Sequence, residues 1–312
     1  MDNREKNFIS AVVYVHNAED RIGGFIKELI RFLEDNFENS EIICVNDFSS
    51  DSSADIIRGL STEPNRMCIS LVNMSYFHGL ELAMKAGTDL SIGDFVLELD
   101  STFMDYRPEA IMDVYTRVLE GFDIVSASPD RKEKFSSRIF YKVFDCFTPT
   151  NVMMQTETFR ILSRRVINRV SNENKTVPYR KALYSTSGLK TDNIRYEVVK
   201  DKLKDMDADE KKYRTSLAID SLILFTNLGY EFSKVMSLFM IFITVVVLVY
   251  TVVAFIISNP IEGWTSTILF LSVAFFGLFV ILTIIIKYLQ IIVELVFKRK
   301  NYSYDSIEKL TK

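Results

Sequence analysis

Two long apolar runs near the C-terminus, Val235 to Ile257 and Trp264 to Ile286, constrain this chain more than any other feature, and neither contains a charged residue. Each has about 23 residues and as a helix rises roughly 34 Å, enough to cross a hydrocarbon core of about 30 Å with some tilt. Only Ser258 to Gly263 separates them. Lipid-buried backbone must satisfy its own polar groups, so the pair is expected to form two antiparallel helices joined by a tight turn. Helices of soluble domains rarely run this far without a polar face, which argues for two membrane spans. The connecting SNPIEG has no Lys or Arg. Lys234 precedes the first run, and Lys287 with the Lys298-Arg299-Lys300 cluster follows the second. Lys and Arg stay on the cytoplasmic side, so the soluble part and both termini are expected at the cytoplasmic face of a cell membrane. Trp264 and Tyr288 stand where interfacial anchors belong. At the start, Asp2, Asn3 and Glu5 interrupt the pattern that a cleavable signal needs.

The remainder is polar enough for one large soluble domain or two small ones. A net charge of -4 argues against a nucleic-acid binder. The three cysteines, Cys44, Cys68 and Cys146, have no paired spacing, so neither a disulfide framework nor a zinc site is expected. With only two histidines, His16 and His78, a His-based metal site or catalytic triad is not expected either.

From the N-terminus, short β-branched runs alternate with helical faces. Phe8 to Val15, Glu41 to Val45, Cys68 to Val72 and Asp94 to Leu99 read as buried strands, with helices over Asp20 to Phe37, Ala54 to Leu60 and Gly79 to Leu90. That alternation implies βαβ units, hence an α/β fold with a mainly parallel sheet and helices on both faces. Ligands of such sheets sit beyond the carboxyl ends of the strands. The loops to watch are therefore His16 to Glu19, Asn46 to Asp51 and Asp100 to Thr102. Further on, Pro108 to Leu119 reads as a helix and Phe122 to Ser126 as a strand. Phe135 to Cys146 and Phe159 to Val170 read as helices. Ser171 to Asp209 reads as a loop-rich lobe, and Lys211 to Phe232 as a helix that either packs on the domain or lies in the membrane interface.

At those loops the chain resembles the family 2 glycosyltransferases of GT-A fold. The nearest branch moves a sugar from a nucleotide to a polyprenyl phosphate, as dolichol-phosphate mannose synthase and undecaprenyl-phosphate glucosyltransferases do. The matching stretches are VVYVHNAED, CVNDFSSDSS, HGLELAMKAG, GDFVLELDS and FRILSRRVI, which together cover most of residues 8–230. Each motif is short; five in the right order, followed by a hairpin anchor, make the signal specific. The resemblance implies a nucleotide-sugar-binding GT-A core over 1–150 and an acceptor-side lobe with juxtamembrane helices over 151–234. A transmembrane hairpin over 235–290 and a cytoplasmic tail over 291–312 complete the chain.

Residue by residue, the resemblance assigns Asn17, Glu19 and Asp47 to the donor nucleotide, with a UDP-sugar expected. Asp100 takes the first place of the D-x-D motif, whose carboxylates hold Mg²⁺ or Mn²⁺ on the diphosphate. Arg131, Arg138 and Arg160 fall to the acceptor phosphate, with Arg131 beside Asp100 in the catalytic set. The implied partners are a nucleotide sugar, a polyprenyl phosphate and the lipid bilayer; a homo-oligomer is left open. The expected product is a lipid-linked sugar for a cell-envelope glycan.

The chain also departs from the pattern. Asn46 stands for the first Asp of the family's V-D-D, Phe48 for the Gly after it, and Leu80 for the Lys after Gly79. Thr102 stands for the second Asp of D-x-D, and Thr158, with Glu157 beside it, for an acidic residue before F-R. Glu98 and Asp105 are the carboxylates placed to substitute as cation ligands. These departures keep an alternative in view: a catalytically impaired relative that serves as a membrane scaffold or partner-binding subunit.

Overall fold

In the computed structural model, the described residues are 4–60, 67–131, 142, 156–172, 180–199, 228–258, 263–296 and 302–310. They fall into two compact units, one holding the sheet and its helices, the other the two long apolar helices.

The first unit opens with β1 (Ile9–Val15), α1 (Glu19–Asn36), β2 (Ser40–Asn46), α2 (Ser53–Leu60), β3 (Cys68–Met74), α3 (Leu80–Leu90) and β4 (Phe95–Leu99). Helix α4 (Glu109–Leu119) and strand β5 (Ile124–Pro129) follow. Each agrees in type with the reading from hydrophobic period, and the bounds move by a few residues. β1 pairs in parallel with β2 and with β4, and β2 in parallel with β3. The alternating side chains of these strands feed two cores. Ala11, Val13, Cys44, Leu97 and Leu99 pack with α1, α2 and α4. Val12, Ile43, Val45, Val72 and Val96 pack under α3. The last glycine of the HGLELAMKAG stretch has a physical reason here. A Cβ on Gly87 would meet Val12 Cγ1 at 2.5 Å and Val45 Cγ2 at 2.6 Å, so only glycine lets α3 lie this close to β1 and β2.

Beyond β5 the structure corrects two expectations. Phe159–Ser163 is a strand, β6, where a helix was expected; the helix, α5, begins only at Arg164 and runs to Asn172. β6 lies antiparallel between β4 and β5. Its period is two: Phe159 and Ile161 enter one core and Leu162 the other. The stretch read as loop-rich contains helix α6 (Arg180–Thr186) and strand β7 (Thr191–Tyr196), which pairs in parallel with β5. The tail adds a further strand to the sheet. Tyr304–Lys309 forms β8, antiparallel on β3. The sheet order is β7-β5-β6-β4-β1-β2-β3-β8. The expected helices over Phe135 to Cys146 and Lys211 to Phe232 lie outside the described residues, save Lys142 and the last few positions of the second.

The second unit is α7 (Leu228–Ser258) and α8 (Trp264–Val296). Ser237 hydrogen-bonds Thr283, and Tyr250 meets Trp264 edge-on at 6.3 Å between ring centroids, which makes the pair antiparallel. Thr251 returns its hydroxyl to the Val247 carbonyl at 2.7 Å, so a polar side chain is satisfied within its own helix. The outer faces present Phe239, Phe242, Ile256, Phe270 and Ile281. Both helices are long and apolar enough to cross a membrane.

Candidate functional site

β1, β2, β3 and β4 are neighbours and run parallel, so the loops that follow them emerge along one edge of the sheet. That edge gathers His16, Asn17 and Glu19 after β1, Asp47 and Phe48 after β2, Tyr76 to Gly79 after β3, and Asp100 after β4. This is the crevice where a sheet of this kind takes its ligand.

The first two loops are braced against each other. Asn17 Oδ1 accepts the Ser50 N–H at 2.9 Å, and the Asn17 N–H reaches Ser49 Oγ at 3.1 Å. Glu19 Oε2 accepts from Ser52 N–H at 3.0 Å, and Asp51 Oδ2 from Glu19 N–H at 2.9 Å. Two non-glycine residues take left-handed backbone here, Asn17 at φ 45° and Phe48 at φ 54°. Asn tolerates that region; for a bulky Phe it is an outlier. The Phe48 side chain is nevertheless turned outward, with the residue 58% exposed.

Asp47 sits under this edge and is fully buried. Its Oδ1 accepts from His78 N–H and its Oδ2 from Gly79 N–H, each at 2.8 Å, and Tyr14 donates its hydroxyl at 3.1 Å. Gly79, at φ 80°, immediately precedes α3, so the carboxylate caps that helix from a distance in sequence. Burial pushes the Asp47 carboxyl above its usual range, opposed by the His78 and Gly79 amides. Both Asp47 oxygens thus accept from main-chain donors, and the side chain shapes the loop.

Asp100 sits in an ion network that the sequence reading did not foresee. Arg160 donates to its Oδ2 at 2.8 Å and Arg180 to its Oδ1 at 2.7 Å. Arg180 also binds Glu81 Oε2 at 2.9 Å and Glu98 Oε1 at 2.7 Å. Arg160 lies 3.2 Å from Glu98 and 3.3 Å from Glu157. Tyr184 donates to Glu98 at 3.0 Å. Burial alone would raise the Asp100 carboxyl, but the Arg180 and Arg160 charges outweigh it and bring it down to about 2.

Arg160 is 1% exposed and shared among three carboxylates. Asp100, in this arrangement, does not fit the cation role. A divalent ion needs free oxygen donors, and both Asp100 oxygens face guanidinium groups that repel it. Thr102 receives the Arg21 Nε–H at 3.4 Å, Glu98 is enclosed by the same arginines, and Asp105 accepts from the Tyr196 hydroxyl at 2.8 Å. Among the described residues no three His, Cys, Asp or Glu side chains converge as a metal site. Arg131 is exposed just past β5. Arg138 lies outside the described residues.

Arg180 was missed because it carries no motif, and Glu81 because, within HGLELAMKAG, nothing marks it as the partner of a distant arginine. The usable signal was Glu98, a charge inside the apolar strand DFVLEL, which demands buried cations somewhere in the chain.

Comparison with known proteins agrees with this architecture. The profile of the family described as "Glycosyl transferase family 2" matches residues 10–172. An uncharacterised glycosyltransferase of Synechocystis sp. is 28% identical over 195 residues, a match spanning 61% of this chain and only 60% of that relative. The bactoprenol glucosyl transferase of Shigella phage SfV is 25% identical over 276 residues, covering 86% of this chain and 88% of the relative. The crystal structure of glucosyl-3-phosphoglycerate synthase from Mycobacterium tuberculosis with Mn²⁺, UDP-glucose and phosphoglyceric acid is similar at a TM-score of 0.51. That likeness, at 14% identity over 70% of this chain and 78% of the other, concerns the fold alone.

Proposed function

The chain belongs to glycosyl transferase family 2, and from that premise we propose that it transfers a sugar from a nucleotide diphosphate sugar to a polyprenyl phosphate at the cytoplasmic membrane face. The observation that carries this reading is one of chain order. A family 2 sheet is followed by two helices long enough to span a bilayer, and the chain then returns to the same sheet as β8. A relative named as a bactoprenol glucosyl transferase matches the chain over 86% of its length. A soluble acceptor would need no such anchor. A lipid-borne one does, because holding the site at the headgroup raises the effective acceptor concentration without new contacts.

In the proposed reaction an acceptor phosphate oxygen attacks the anomeric carbon with inversion. The bond from that carbon to the diphosphate breaks, and a nucleoside diphosphate leaves. The phosphate is already anionic at neutral pH, so no general base is required. The donor, with UDP-sugars the first to test, lies over the loops braced by Asn17 and Glu19 and shaped by Asp47. Arg131, with Arg138 further along, supplies cations for the acceptor. Asp100 orients Arg160 and Arg180 beneath the site. Membranes containing the protein, fed labelled nucleotide sugars, test the proposal: label should enter the organic phase as a lipid-linked sugar. No transfer from any nucleotide sugar by folded protein rejects it.

A second reading has a specific observation in its favour. The closure of Asp100 by Arg160 and Arg180, with Thr102 beside it, suits a relative that has given up metal-assisted transfer and serves as a membrane scaffold. The same assay separates the two.

A further inference from the structure

The C-terminal tail does more than extend the sheet. It reaches the loop that holds Asp47. The main-chain N–H of Ser303 donates to His78 Nε2 at 3.1 Å, and the Ser75 N–H donates to the Ser303 carbonyl at 3.2 Å. On its other side the His78 ring lies with Nδ1 2.6 Å from the Tyr76 carbonyl, so Nδ1 carries the proton and Nε2 is the acceptor. The ring is buried, stacked on Tyr76 at 3.9 Å between centroids. Its own backbone N–H is one of the two main-chain donors to Asp47. Asp47 in turn donates its N–H to the Val15 carbonyl at 2.8 Å, and its own carbonyl accepts from His16 Nδ1 at 2.7 Å. A continuous set of hydrogen bonds thus runs from residue 303 to the loops after β3, β2 and β1.

The rest of the tail is fastened beside it. Glu308 takes both a 2.8 Å and a 2.7 Å bond from Arg58 and a 2.8 Å bond from Asn73. Asn73 also reaches Ser306 at 3.0 Å and accepts from Asn46 at 2.9 Å. Tyr302 donates to Asp89 at 2.7 Å. These contacts exceed what covering the β3 edge requires, since backbone pairing alone would do that. They fix the tail at its first residues, next to the crevice.

We propose that the segment Tyr302 to Lys309 is a positioning strap for the donor site: Ser303 orients His78, and His78 holds Asp47 and the loops that receive the nucleotide. Buried hydrogen-bond chains of this kind act cooperatively, so loss of one end loosens the other. The inference rests on the donor-site reading above and adds that nucleotide binding depends on chain lying beyond the apolar helices.

The test is equilibrium binding of UDP, GDP and CDP to the full-length protein in detergent, with hydrogen exchange at residues 76–79 and 304–309. Ser303→Pro deletes the N–H that His78 receives while leaving β8 its own ladder; proline is tolerated at the first residues of an edge strand. It should weaken nucleotide binding roughly five- to tenfold, as for one lost hydrogen bond, and speed exchange at 76–79. Ser303→Ala keeps the N–H and should bind as wild type. Should Ser303→Pro fail to fold, Glu308→Arg against Arg58 serves instead: the single variant should weaken binding, and Arg58→Glu with Glu308→Arg should recover part of it, since the swap rebuilds the pair but not the bond from Asn73. A folded Ser303→Pro that binds as wild type overturns the strap alone. A wild type that binds none of the three nucleotides overturns the strap and the donor-site reading together.

Discussion

Asp100 and Arg180 face each other at 2.7 Å, a carboxylate from the end of β4 and a guanidinium from α6, on the side chain that the family pattern reserves for a cation. Arg160 closes the other oxygen at 2.8 Å. A divalent ion would have to displace two arginines that are themselves held by Glu81, Glu98 and Glu157. Removing either arginine from its partners strands buried charge, at about 3–5 kcal/mol. Nucleotide affinity should therefore be the same, within about twofold, in EDTA and in Mn²⁺. Thr102→Asp should not create dependence, because the new carboxylate meets Arg21 first. Calorimetry showing Mn²⁺ tightening wild-type nucleotide binding by more than about tenfold, some 1.4 kcal/mol, would return Asp100 to the metal.

The same pair sets an acid sensitivity. The Asp100 carboxyl lies at about 2 in the fold against an ordinary 3.8. A depressed carboxyl contributes stability that is complete above the unfolded value and is lost as pH falls through the folded one. The window is thus from about pH 4 down to about pH 2, and the contribution is on the order of 2 kcal/mol. Denaturant titrations in detergent should show this loss in wild type and a shallower one in Asp100→Asn. Identical acid profiles for the two proteins would disconnect Asp100 from the arginines.

Phe48 carries strain at φ 54° with its ring mostly in solvent. Left-handed backbone costs a β-carbon residue about 1–2 kcal/mol, and a glycine loses about 0.5–1 kcal/mol more entropy on folding. Relief wins narrowly, so Phe48→Gly should stabilise the fold by about 0.5–1 kcal/mol. Thermal unfolding that moves down by several degrees would mean that the exposed ring packs against something it does not touch here.

How much of this was legible follows from which residues report their environment locally. The β1–β4 and α1–α3 alternation was readable because each strand, buried on both faces, is a continuous apolar run, and each helix shows one apolar stripe. β6 was not, since FRILSRRVI also satisfies a helical period and only the partners β4 and β5 decide between them. β7 and β8 have polar faces and owe their existence to pairing with β5 and β3. In the site, positions were legible and partners were not. Asp47 and Asp100 do stand at strand ends in the crevice, yet what occupies their oxygens comes from His78, Gly79, Arg160 and Arg180, distant in sequence. Spacing along a chain carries no record of such pairings, and a family motif transfers the residue without its neighbours.

The pairing of β8 with β3 also constrains the topology of the apolar helices. β8 pairs with β3, so residues 304–309 lie with the sheet, and the sheet precedes the two apolar helices in the chain. If both helices span, the chain crosses twice and returns, in accord with the Lys234 and Lys287 flanks and the uncharged Ser258 to Gly263 connection. In a chain whose Cys44, Cys68 and Cys146 are replaced by Ala, Ile261→Cys should react with an impermeant maleimide in intact cells. Lys312→Cys should react only after permeabilisation. Labelling of Lys312→Cys from outside would put the sheet outside with it, which reverses the orientation. Labelling of neither in intact cells, with both exposed on permeabilisation, would mean that the hairpin dips into the membrane without crossing.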